Sequence, residues 1–214
     1  LVAHFASDHA ALNLVGKLLQ QAPSAVEYMD KPTLEASRGN IQQVENRSWI
    51  NGSPEAVLII EFLSDTHKEL DSNLTSCQSW LLLHDSYHVE VIDAEEHYKV
   101  WEIRKAGLGL LMGKVGARKA IAVIEDAAVP LKYLYAYYKH MKDYMYSYGV
   151  NAVYYGHASV GLIHIRPELN LENFNDRIKM IDIAKESSRI VKKYKGSLSG
   201  EHGDGRIRAA FLKE

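Results

Sequence analysis

With 214 residues, 47% of them apolar and 24% charged, the chain has ordinary globular composition and enough length for one large domain or two small lobes around a sizeable core. A formal charge of −2 excludes a global basic field that would attract nucleic acid or an anionic membrane. No apolar run approaches the roughly 20 residues needed to span a bilayer, so no transmembrane segment is expected. Cys77 is the only cysteine, which rules out an internal disulfide and favours a reducing, cytoplasmic setting. It is read as a small buried or half-buried helix residue and not as a nucleophile. Both ends, Leu1 and Glu214, suggest a domain excised from a longer chain.

Residues 1–5 read as a strand. Ser7 or Asp8 can cap a helix reaching about Gln21, with Ala11, Leu14, Val15, Leu18 and Leu19 on one face, and Pro23 ends it. Residues 25–29 form the next strand. Asp30 followed by Lys31-Pro32 starts a polar helix to about Asn46, weakened by Gly39, and residues 51–54 (Asn-Gly-Ser-Pro) are a loop. The continuous apolar run 56–63 predicts a buried strand, Asp65 or Thr66 caps a helix to about Leu82, and the alternation at 87–93 predicts a half-buried strand. A helix over 94–106 carries Val100, Trp101 and Arg104; Gly107, Gly109, Gly113 and Gly116 then mark an irregular stretch.

Residues 119–129 are the next strand. Pro130 opens the clearest helix, with Leu131, Leu134, Tyr138, Met141, Met145 and Tyr148 at three- and four-residue spacing and Gly149 closing it. Strands at 152–157 and 162–167 surround a short turn. Asn173 or Asn175 opens a helix to Lys195 with Phe174, Ile178, Ile181, Ala184 and Val191 on one face, and Gly196 ends it. Strand, helix and strand recur, which predicts an α+β fold of ferredoxin-like split β-α-β units, with a largely antiparallel sheet covered by helices. No glycine-rich phosphate loop follows any strand, so no dinucleotide-binding domain of that type is expected.

His157 and His164 flank a turn centred on Val160-Gly161. In a hairpin with that centre, residues whose numbers sum to 321 face each other, and these two histidines are such a pair. Two imidazoles so placed can share a metal ion, although paired strand histidines also occur simply as packing residues. In the closing stretch Ser199-Gly200-Glu201-His202-Gly203-Asp204-Gly205, the glycines allow positive φ and close approach to a ligand. Glu201 can complete a His2Glu set of the catalytic zinc type; manganese, cobalt or iron suit the same donors. His202 is then placed to act as a base. The plain alternative is a solvent-exposed polar turn.

These residues carry a resemblance. The closing stretch, the hairpin from Gly156-His157 to His164-Ile165-Arg166-Pro167, and Glu125-Asp126 before Val129-Pro130 resemble the C-terminal domain of FAD-linked oxidases. That is the substrate-side domain of vanillyl-alcohol-oxidase-type flavoenzymes, which include glycolate oxidase subunits, D-lactate dehydrogenases and D-2-hydroxyglutarate dehydrogenases. The resemblance covers residues 1–214 as one substrate and cap domain. It implies His157, His164 and Glu201 as metal ligands, zinc first among the metals, and His202 as catalytic base. It implies that Arg104, in Trp101-Glu102-Ile103-Arg104-Lys105, holds the substrate carboxylate, helped by Arg206 or Arg208. FAD is expected on a separate upstream domain and iron–sulfur modules further along the chain. The implied reaction is oxidation of a small D-2-hydroxy acid to the 2-oxo acid in the cytoplasm, with peripheral contact to the inner membrane through an electron acceptor. The 214 residues alone are not expected to turn over.

One departure stands out. Many members have Gly-Asp-Gly-Asn between the two histidines, where this chain has Ser159-Val160-Gly161-Leu162. Other roles remain open at this level. Arg104 can pair with Glu102 or Glu125, Arg206 and Arg208 can contact a cofactor domain, and Asp126 can brace a histidine or cap a helix. The tyrosines between 133 and 155 suit a core. A non-catalytic binding module and a flavin-free metal-dependent hydrolase are the competing functions.

Overall fold

The computed structural model describes residues 1–113 and 115–211, with the backbone alone for 108 and 110–112. The chain divides into two compact units, Leu1–Leu110 with His157–Ser159, and Leu111–Gly156 with Val160–Glu214.

The first unit contains β1 (Val2–Phe5), α1 (Asp8–Leu18), β2 (Ala25–Asp30), α2 (Lys31–Ala36), β3 (Ala56–Glu61), α3 (His67–Leu82), β4 (Ser86–Glu90) and most of α4 (His97–Gly113). Its strands run in the order β4-β1-β3-β2 with every neighbour antiparallel. Two β-α-β units interleaved in this way give the expected ferredoxin-like arrangement. All four residues of β1 and the first five of β3 are buried, because the sheet's central strands lack a solvent face. Ser7 caps α1 by accepting from the amide of Ala10, and Thr66 caps α3 by accepting from that of Glu69. Cys77 lies buried in α3, and burial pushes its thiol up to about 11, so it stays a thiol at neutral pH.

Two expectations change here. The helix after Asp30 stops at Ala36 and is followed by 3-10 turns at Ile41–Gln43 and Glu45–Arg47. The glycines after Ala106 do not end α4, which continues to Gly113. Gly107 packs closely on α2: a Cβ there would lie 3.0 Å from Thr33 Cγ2.

The second unit contains β5 (Lys119–Ala120), α5 (Leu134–Ser147), β6 (Ala152–Gly156), β7 (His164–Leu169), α6 (Phe174–Lys193) and the short α7 (Gly205–Arg208). Its strands run β6-β7-β5, again antiparallel. Tyr137, Tyr138, Tyr154 and Tyr155 are buried, and Tyr138 meets Tyr154 edge-on at 4.9 Å, as a core role requires.

The strand expected over 119–129 is mostly absent. Only Lys119–Ala120 pairs as a strand, and single bridges follow from Ile124 to Ile165 and from Ala128 to Leu162 and Ser197. The amide of Val123 bonds to the carbonyl of Ile121, which breaks the extended run despite its burial. The hairpin register also differs. Tyr155, and not His157, faces His164, so paired numbers sum to 319. The turn is a 3-10 segment, Ala158–Val160, and His157 lies just outside β6. Finally, α6 buries Ile183, Ala184, Ser187, Ser188, Ile190 and Val191, while Phe174, Ile178 and Ile181 of the expected face are exposed. Among the described residues, no helix is long and apolar enough to cross a membrane.

Candidate active site

Each unit gathers part of the expected chemistry. In the first unit, β2 carries Glu27, whose side chain is 7% exposed. Glu27 Oε2 accepts from Arg104 Nε at 2.9 Å and lies 2.8 Å from its Nη2. Glu27 Oε1 accepts from His157 Nδ1 at 2.5 Å. Arg104 therefore pairs with Glu27. Burial pushes the Glu27 carboxyl up, but the His157 hydrogen bond and the Arg104 charge outweigh it and hold it below its ordinary value. Sequence reasoning missed Glu27. The available signal was a carboxylate inside the strand Ala-Val-Glu-Tyr-Met-Asp, every residue of which after the first is buried.

In the second unit, the irregular segment after β5 presents Glu125 and Asp126, and β7 presents His164 and Arg166. Asp126 is fully buried. Its Oδ1 accepts from the Glu201 amide at 2.9 Å and its Oδ2 from the His202 amide at 3.0 Å. Arg208 lies 3.5 Å from Asp126 Oδ2 and donates to the Gly203 carbonyl. Burial raises the Asp126 carboxyl, but the amides of Glu201, His202 and Gly200, with Arg208, hold it below its ordinary value. Asp126 thus anchors the loop that carries Glu201 and His202. Gly200 is needed for this approach, since a Cβ there would come within 2.6 Å of Leu162 Cδ1 and 3.1 Å of the Asp126 carbonyl oxygen. Gly203 and Gly205 have φ values of +68° and +53°, which side chains adopt rarely.

The result is a compact polar group. His164 Nδ1 donates to the Glu125 carbonyl, so its Nε2 carries the lone pair; that atom lies 3.6 Å from Glu201 Oε1. His202 stacks on His164 with ring centroids 5.1 Å apart and planes 2° from parallel. His202 Nε2 is 3.2 Å from Glu201 Oε1 and its Nδ1 is 3.4 Å from Glu125 Oε1. Arg166 donates to Glu125 and, through Nε, to the Tyr155 hydroxyl at 2.7 Å. Donor atoms of Asp126, Glu201 and His202 lie within 4.8 Å of one another, but both Asp126 oxygens already receive backbone amides. Arg206 is exposed, whereas Arg208 is buried inside the loop that it braces.

The whole chain, residues 1–214, matches the family described as FAD linked oxidases, C-terminal domain. The chain belongs to that family. Among curated relatives, D-2-hydroxyglutarate dehydrogenase of Pantoea ananatis (strain AJ13355) is 28% identical over 213 residues, covering 94% of this chain and 21% of that protein. D-lactate dehydrogenase of Archaeoglobus fulgidus is 24% identical over 215 residues, covering 100% of this chain and 44% of that protein. Of the solved structures, 4-ethylphenol oxidase from Gulosibacter chungangensis in its isoeugenol complex aligns with a TM-score of 0.65 at 10% identity, over 92% of this chain and 44% of that one. The chain thus spans about a fifth (21%) of the D-2-hydroxyglutarate dehydrogenase and less than half (44%) of the D-lactate dehydrogenase.

In this FAD-linked oxidase C-terminal domain, each unit holds one histidine ring in a fixed orientation. His157 and His164 each have Nδ1 held by an acceptor, which fixes Nε2 as the lone-pair nitrogen. His164 and Glu201, both in the second unit, offer an imidazole and a carboxylate, donors of the kind a divalent metal accepts.

Proposed function

We propose that the chain is the substrate-side domain of an FAD-dependent dehydrogenase that oxidises a small D-2-hydroxy acid to its 2-oxo acid. The observation that carries the reading is the clamp on Asp126, which fixes the backbone of Glu201 and His202 beside His164. Family membership and the names of the relatives supply the reaction class.

The roles divide as follows. Arg104 binds the substrate carboxylate by a charge-assisted contact, with the exposed Arg206 available as a second cation. Arg208 braces the loop. His164 and Glu201 are metal ligands, and the family resemblance adds His157. A divalent cation held by those residues would supply Lewis-acid polarisation of the hydroxyl, and FAD, on a domain upstream, would supply the two-electron acceptor. Oxidation removes a proton from the hydroxyl oxygen and a hydride from Cα. His202 takes the proton, with its ring oriented by stacking on His164 and by the carboxylates of Glu125 and Glu201. The polar group around His202 favours this reading over a degenerate binding module.

The test uses the full-length flavoprotein. Anaerobic mixing with D-2-hydroxyglutarate, and with D-lactate, should bleach the flavin. His202→Ala should slow that reduction by roughly 10²–10⁴-fold, the usual contribution of a general base. Reduction at the wild-type rate by the variant would remove His202 from the chemistry. Absence of flavin reduction by any D-2-hydroxy acid would overturn the reaction class.

A further inference from the structure

We propose that Glu27 is a positioning residue that sets two functional side chains at once: it fixes the ring orientation and tautomer of His157 and it orients the guanidinium of Arg104. The inference rests on the functional reading above, which gives His157 and Arg104 their roles.

Glu27 sits in the middle of β2, opposite Ile59 of β3, between the buried residues Val26, Tyr28 and Met29. An ionised carboxylate in such surroundings is penalised by desolvation unless partners compensate it. Here each oxygen has its own partner. Oε1 accepts from His157 Nδ1 at 2.5 Å, and Oε2 accepts from Arg104 Nε at 2.9 Å with Nη2 at 2.8 Å. The carboxylate therefore spaces an imidazole and a guanidinium by its own width. It holds the neutral imidazole as the Nδ1–H tautomer with its lone pair on Nε2, the carboxylate–histidine arrangement that prepares a metal ligand. It also faces the Nε–Nη2 edge of Arg104, which directs the Nη1–Nη2 end to a substrate carboxylate. The Ile59 pairing on the β3 side fixes the backbone of Glu27, so both partners are referenced to the sheet.

A purely structural ion pair would make a different prediction: its loss would lower thermal stability without changing the tautomer of His157 or its affinity for metal. The experiment uses the 214-residue chain and its Glu27→Gln and Glu27→Asp variants at about pH 8, above the ordinary imidazole range. Nitrogen NMR of the ring should report a single Nδ1–H tautomer for His157 in the wild type and a mixture in Glu27→Gln. Competition for zinc against a chromophoric chelator should show affinity falling 10–100-fold in the same variant. Glu27→Asp keeps the charge but, one methylene shorter, draws the carboxylate back from both His157 and Arg104, and it decides by the same criteria if Glu27→Gln does not fold. A wild-type tautomer in a folded variant overturns the proposal, as does undiminished zinc affinity. If the wild type takes up no zinc yet shows the locked tautomer, the metal reading falls and the role of Glu27 stands.

Discussion

Asp126 shows how one buried side chain can hold a whole loop in place. Its carboxylate is fully buried and receives the amides of Glu201 and His202, with Arg208 as counter-charge. Asp126→Asn keeps the shape but turns an NH2 group toward one of those amides and leaves Arg208 short of its counter-ion. An orphaned buried donor costs about 1–3 kcal/mol, and an uncompensated buried charge costs more. The expected result is faster hydrogen exchange at the amides of 201 and 202, with flavin reduction in the full-length protein slowed as much as by losing His202. Unchanged exchange protection would show that the loop is held by something else. The sequence marks Glu201 and His202 through their glycines, because backbone freedom leaves a compositional trace. It does not mark Glu27, whose partner His157 is 130 residues away and whose neighbours read as an ordinary apolar strand. Long-range ion pairs have no local signature.

At the level of elements, the sequence locates a helix and its face where a cap and a period agree, as at Ser7 for α1; at α6 the Asn173 cap forms, but Phe174, Ile178 and Ile181 of the expected face are exposed. It fails where a neighbour decides. The hairpin centre is misplaced because Ala158–Val160 forms a 3-10 turn, which shifts the facing pair from His157 to Tyr155. The glycines of α4 read as breaks, yet the helix continues through them. Two of them give opposite predictions. Gly109 has nothing within 4 Å of a would-be Cβ, so Gly109→Ala should raise stability by about 0.5–1 kcal/mol through helix propensity. Gly107 would place its Cβ 3.0 Å from Thr33 Cγ2, and Thr33 is fixed by hydrogen bonds from its amide (2.9 Å) and hydroxyl (2.5 Å) to Asp30. Thr33 has little room to yield, so Gly107→Ala should lose that gain and lower the melting temperature relative to Gly109→Ala. Thermal melts of the two variants check this directly, and an equal rise in both would mean that α4 does not press on α2.

Across the whole molecule, the buried titratable groups set how stability responds to acid, and they act in sequence. His4 is fully buried in β1, its Nε2 accepts from the Asn51 amide at 3.2 Å, and its ring meets that of His88 edge-on at 5.2 Å. Burial, then the charge of His88, lowers its pKa from 6.5 to about 4. The unfolded chain therefore takes up a proton at His4 near pH 6.5 while the folded chain does not until about pH 4. Between those values the unfolded state binds more protons, so stability falls as pH falls through the window and is flat with respect to His4 above it. A shift of this size corresponds to roughly 3 kcal/mol across the window. Glu27 and Asp126, held below their ordinary values, act later: their contributions are present above the ordinary carboxylate range and disappear as pH drops through their lowered folded values. Acid should thus weaken the protein first through an imidazole that resists charging and then through carboxylates that resist neutralisation. His4→Gln retains an acceptor for Asn51 but does not titrate. Melting temperature plotted against pH should be flatter for this variant than for the wild type between pH 6.5 and 4, with the two curves running parallel below that. Parallel curves throughout the window would show that His4 is not the group responsible.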